Sequence, residues 1–141
     1  MTKINQTANF FFGITKFQTK LSRRLDAGLN GISLNELIIM YHLSQNTDNR
    51  MRRIDLADKV GLTASGITRL LLPMEKIGLI KRESSKDDAR VSYVVLAHGG
   101  QTKLNEGLER LEIFGEDLVP EAKLKKLAET AKLISELEKN I

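Results

Sequence analysis

The sequence predicts a mainly α-helical chain with one small β-hairpin set between helices. Apolar residues recur at three- and four-residue steps over most of its length, the repeat of helices with one buried face. Proline, which breaks such helices, occurs only at Pro73 and Pro120. Residues 79–96 differ from the rest, with two β-rich runs flanking a polar, charged centre.

The first helix is expected over about residues 6–27, where Phe10, Ile14, Phe17, Leu21 and Leu25 form one stripe. Phe11 and Phe12 widen that stripe beyond what a single packed side needs, and Gly28 and Gly31 end the helix. Ser33-Leu34-Asn35-Glu36 reads as a capping box that opens a second helix through Leu37, Met40 and Tyr41. The polar run at residues 45–49 is a loop. Third and fourth helices are expected over residues 54–60 and 64–77, with Gly78 closing the fourth. Residues 79–83 and 91–96 are the strands of the hairpin, and residues 84–90 its charged tip. Two helices follow, one carrying Leu104, Leu108, Leu111 and Phe114, the other Leu124, Leu127, Ala131, Ile134 and Leu137. Pro120 suits the entry to the second of these, and the spacing of its leucines is that of a helix-pairing seam.

Composition narrows the function. With 141 residues, 41% hydrophobic and 28% charged, the chain is of ordinary globular make-up. It has no cysteine, which argues against a disulfide framework, a thiol sensor or a Cys-based zinc site, and only two histidines, His42 and His98. Phe10-Phe11-Phe12 is too short an apolar run for a signal-peptide core or a membrane span, so a cytoplasmic location is expected. Formal net charge is +4. Residues 50–90 hold ten Lys/Arg against six Asp/Glu, while residues 1–49 carry +2 and residues 91–141 carry −2. A basic centre suits a polyanionic partner, although an excess of this size also fits a solvated surface. Neither a nucleophile–base pair, a carboxylate dyad nor a phosphate loop is evident, so no enzyme is expected, and no metal or cofactor.

The most informative stretch is residues 56–70, Leu-Ala-Asp-Lys-Val-Gly-Leu-Thr-Ala-Ser-Gly-Ile-Thr-Arg-Leu. Ala57 is small where two helices would cross, Gly61 supplies the positive φ of a tight turn, and Ile67 is placed to pack back on Ala57. By itself this fits either a plain helical hairpin or a helix-turn-helix, whose second helix enters the DNA major groove. The basic hairpin that follows favours the second. Thr63 is the natural N-cap of that second helix, whose first turns expose Ala64, Ser65 and Gly66, then Thr68 and Arg69. An arginine there can pair bidentately with a guanine edge. Arg90 is a lone arginine near the hairpin tip, a candidate contact or an ordinary solvated charge, and Lys86 lies on the same tip. Arg52 and Arg53 are candidate phosphate contacts or ordinary exposed charges. Pro73, inside the fourth helix, either aims the first turn or marks a tolerated bend.

Residues 34–100 resemble the MarR family of winged helix-turn-helix regulators. The resemblance rests on residues 56–70, on Glu75-Lys76-Ile77-Gly78-Leu79-Ile80 at the recognition-helix exit, and on Asp88-Ala89-Arg90 with Val94-Val95-Leu96 and Gly99-Gly100 in the wing. It implies that Arg90 is the wing-tip arginine that enters a narrow minor groove, braced by Asp88. Many relatives carry a second arginine where this chain has Ala89, and a threonine where it has Ala97. The resemblance further implies a DNA-binding domain over residues 33–98, with residues 1–32 and 99–141 as a helical dimerisation region; the alternative is that these ends complete a monomeric core. It also implies a small aromatic or anionic effector, for which Phe10, Phe17, Arg24, Met40, Tyr41 and His42 are candidate contacts. The expected function is a sequence-specific, double-stranded-DNA-binding transcription regulator, a ligand-responsive repressor acting as a homodimer on a near-palindromic operator. The competing reading is a non-specific architectural DNA-binding protein.

Overall fold

A computed structural model describes residues 1–141. The chain is mainly helical, with one three-stranded antiparallel sheet, and divides into two compact units, residues 1–108 and 109–141. No helix is long and apolar enough to cross a membrane.

The first unit opens with α1 (Gln6–Asp26), whose start is capped by the Asn5 side chain accepting from the Ala8 N–H at 2.8 Å. Of its apolar stripe only Leu25 is buried. Phe12 and Phe17 are 64% and 56% exposed. α2 (Leu34–Ser44) starts on the expected capping box: the Glu36 N–H donates to Ser33 Oγ at 3.1 Å and the Ser33 N–H donates to Glu36 Oε1 at 2.9 Å. Leu37, Ile39, Met40 and Leu43 make it the central core helix.

A short strand precedes the third helix, which the sequence reading did not contain. β1 (Arg50–Arg52) leads directly into α3 (Arg53–Val60), so the expected hairpin is the larger part of a three-stranded sheet. The turn after α3 has the geometry predicted for it. Gly61 sits at φ 77°, its N–H donates to the Asp58 carbonyl at 3.2 Å, and the Leu62 N–H donates to the Ala57 carbonyl at 2.9 Å. α4 (Ala64–Lys76) then crosses α3, with Ala57 and Ile67 both buried between helix and core. α4 continues through Pro73 and ends in a second left-handed glycine, Gly78 at φ 80°.

β2 (Ile80–Ser84) and β3 (Ser92–Leu96) pair with Ile80 opposite Leu96 and Glu83 opposite Tyr93, and β1 joins the other edge of β3 with Arg52 opposite Tyr93. Side chains alternate across a strand, so Ile80, Val94 and Leu96 fall on the buried face. Arg50, Arg52, Lys81, Glu83 and Tyr93 share the other. There the Arg50 guanidinium lies 4.4 Å over the Tyr93 ring and 3.9 Å from Glu83. α5 (His98–Leu118) starts against the α4–β2 turn. A Cβ on Gly100 would lie 2.1 Å from the Leu79 carbonyl oxygen, so only glycine fits.

The second unit contains the end of α5, a 3₁₀ turn at Glu121–Lys123 and α6 (Leu124–Glu138). None of its residues is buried. Leu124, Leu127, Ile134 and Leu137, the predicted seam, remain between 41% and 51% exposed.

Candidate nucleic-acid interface

The start of α4 is built around one hydroxyl. Thr63 Oγ1 accepts from the Gly66 N–H at 3.0 Å and lies 3.3 Å from Ser65 Oγ. A Cβ at position 66 would come within 3.1 Å of that oxygen, so glycine leaves the cap undistorted. Ala64, Ser65 and Arg69 are exposed, and Gly66 and Thr68 half-buried. The result is a capped first turn with small side chains, one hydroxyl and one arginine. A DNA edge can approach such a surface closely.

Thr68 is turned back onto the protein. Its hydroxyl donates to the Ala64 carbonyl at 2.9 Å and accepts from Arg53 Nη1. Arg53 is the first residue of α3, not part of the segment preceding it, and thereby reaches across to α4. Sequence reasoning missed this pair. The two residues are fifteen positions apart, and no periodicity links the first residue of one helix to the second turn of the next.

The wing tip, residues 85–91, is closed by the Ser85 N–H donating to the Val91 carbonyl at 2.9 Å, and by the Val91 N–H donating to the Asp88 carbonyl at 3.0 Å. Asp88 Oδ1 accepts from the Arg90 backbone N–H at 3.0 Å and from Arg90 Nε at 3.2 Å. These contacts, the backbone one foremost, hold the Asp88 carboxyl below its ordinary pKa; slight desolvation opposes them and the charge of Arg52 assists. The Arg90 side chain is nonetheless 91% exposed, braced at its root and open at its head. Lys86 is exposed on the same tip. Arg52 ends β1 with an exposed side chain, and the strand brings it close enough to the tip to act on Asp88. Arg50-Met51-Arg52 does alternate polar and apolar residues, but three residues without a β-branched side chain are too faint a strand signal to read.

The six candidate effector contacts have diverse settings. Met40 is fully buried in the core. Phe17 and Arg24 are exposed on α1, and Phe10 is half-buried. The Tyr41 ring meets that of His42 edge-on, with centroids 5.5 Å apart. Partial burial, and then the charge of Lys59, lower the His42 pKa below its ordinary value, which keeps the ring neutral at pH 7. An open concavity of about 610 Å³ on α1 is lined by other residues, Phe12, Thr15, Lys16, Thr19, Lys20 and Arg23.

Residues 32–92 match the model of the MarR family. The Bacillus subtilis protein described as the uncharacterized HTH-type transcriptional regulator YdgJ is 24% identical over 92 residues, 65% of this chain and 53% of that protein. The match therefore spans about half the length of that curated relative. Among solved structures, the transcriptional regulator BldR from Sulfolobus solfataricus superposes with a TM-score of 0.79 at 23% identity, over 96% of this chain and 99% of its own. Sco3205, a MarR family transcriptional regulator from Streptomyces coelicolor solved in complex with DNA, gives 0.76 at 19% identity, over 96% and 91%. At these identities the likeness is one of fold, and it extends over nearly the whole chain.

Proposed function

We propose, from the match of residues 32–92 to the MarR family model, that the chain is a member of that family and a sequence-specific, double-stranded-DNA-binding transcription regulator. The observation that supports this best is the pairing of two exposed arginines on prepared mounts. Arg69 stands on the capped helix α4, and Arg90 projects from a tip whose own carboxylate orients it. The first suits base edges in a major groove and the second a narrow minor groove. Arg52, Arg53 and Lys86 supply further cations for backbone phosphates.

One α4 helix spans few base pairs, and a homodimer would read two half-sites about one helical turn apart. The exposed apolar faces of α1 and α6 support such a dimer, since an unpartnered stripe of this kind is seldom left in water. In this reading residues 1–32 and 99–141 dimerise and residues 33–98 bind a near-palindromic operator. The chain acts in the cytoplasm as a repressor, released by a small aromatic or anionic effector. Rings at Phe10, Phe17, Tyr41 and His42 and the cation of Arg24 are the groups such an effector would meet.

Selection of bound sequences from a random duplex pool tests the reading. An inverted repeat is expected, bound far more tightly than random duplex. Recovery of unenriched sequences with equal affinity would instead identify a non-specific architectural protein. On the selected duplex Arg90→Ala should cost about 1–3 kcal/mol with the dimer intact, and Arg69→Ala should relax the sequence preference. A screen of small aromatic acids for release of the bound duplex then tests the effector.

A further inference from the structure

The hydrogen bond between Arg53 and Thr68 divides labour within the proposed interface. A threonine hydroxyl has one proton to donate. Thr68 directs it to the Ala64 carbonyl, and one of its lone pairs receives Arg53 Nη1. The half-buried hydroxyl therefore has no hydrogen left for a base or phosphate acceptor. Arg53, in contrast, uses one of its five N–H groups on Thr68, and its exposed guanidinium retains the rest. The long side chain of an exposed arginine ordinarily samples many rotamers, and this bond removes much of that freedom before any ligand arrives. Arg53 also opens α3, the first helix of the helix-turn-helix, which in that motif crosses the DNA backbone.

We infer that Thr68 is a positioning residue, not a reader of bases, and that it fixes the Arg53 guanidinium beside α4 as a phosphate contact. This rests on the DNA-binding reading above. It differs from that reading in giving Thr68 no direct contact with DNA and in making the two side chains one functional unit.

A double-mutant cycle on the duplex that the wild-type chain selects from a random pool tests it. Thr68→Val keeps the shape and removes the hydroxyl, and should weaken binding about fivefold, in the range of coupling between directly bonded side chains. In an Arg53→Ala background the same change should have no further effect. Thr68→Ser, which retains the oxygen, should restore wild-type affinity. Arg53→Ala should lower the slope of log affinity against log salt by about one, as the loss of one phosphate contact does, and leave the preferred sequence unchanged. Equal penalties for Thr68→Val with and without Arg53, or a preferred sequence altered by Arg53→Ala at unchanged salt slope, overturn the inference while leaving the regulator reading intact. A wild-type chain that selects no duplex overturns both.

Discussion

Gly100→Ala adds one methyl group where the structure has no room for it. The new Cβ would lie 2.1 Å from the Leu79 carbonyl oxygen and 2.6 Å from Leu96 Cδ1, where ordinary contact begins at 3.4 Å. The leucine tip can turn aside, but the carbonyl cannot. It accepts the Ala97 N–H at 3.0 Å, and the Leu79 N–H is itself held by the Met74 carbonyl at 3.0 Å in the turn that ends α4. Two costs follow from pushing that backbone away. Overpacking a rigid contact costs about 1–3 kcal/mol, and a buried carbonyl that loses its donor costs a similar amount, about 1–3 kcal/mol. The better helix propensity of alanine offsets about 0.5–1 kcal/mol. The net loss is about 1–5 kcal/mol, centred near 3 kcal/mol, a large part of the roughly 5–15 kcal/mol that stabilises a domain. Urea unfolding, compared at one protein concentration because a dimer's stability depends on it, should show the midpoint falling by about 1–2 M at unchanged slope. A variant within 0.5 kcal/mol of wild type, about the spread of a neutral surface change, would refute the claim that α5 is pinned to the α4–β2 turn through this glycine.

Other expectations are more local. Gly13→Ala, at a helical site with nothing within 4 Å of the added Cβ, should raise the unfolding midpoint by the equivalent of roughly 0.5–1 kcal/mol; a loss would mean that a second chain packs against that point of α1. Thr63→Ala should cost about 1 kcal/mol in urea unfolding through loss of the α4 cap. Ile134→Asp, on the exposed seam of α6, should convert a dimer to monomers in light scattering without loss of helical circular dichroism. The folded-state pKa of His42 is lowered, so the unfolded chain binds the extra proton: its contribution to stability is present above pH 6.5 and is lost as pH falls from there toward the folded pKa. His42→Gln should flatten that part of a stability–pH profile. Asp88 also titrates low, so the brace on Arg90 persists as pH falls to the ordinary carboxylate range and is lost only below it. Removing the guanidinium in Arg90→Ala should raise the Asp88 pKa part of the way in a carboxyl NMR titration, because the backbone N–H remains.

What could be read in the sequence was what local rules encode. The capping box at Ser33, the left-handed turns at Gly61 and Gly78 and the Thr63 cap are each fixed by a few neighbouring residues, and each is present in the structure. The helices follow from an apolar repeat that a window of a dozen residues contains. β1 escaped because its stability comes from β3, more than forty positions away, and not from its own three residues. Arg53 and Thr68 escaped for the same reason: their bond exists only once Gly61 has turned α4 back across α3. Gly99 and Gly100 were legible as a motif, but their cause, a backbone carbonyl from the preceding turn, was not. These long-range contacts all brace α4 or the wing. β1 brings Arg52 toward Asp88, Arg53 joins α3 to α4, and Gly100 seats α5 on the turn between α4 and β2. Most of the residues proposed to meet DNA thus lie on elements that local rules predict, whereas the framework that holds them at fixed spacing emerges only from the fold. Variants of that framework, with every candidate DNA contact left in place, should therefore impair binding as effectively as loss of a contact itself.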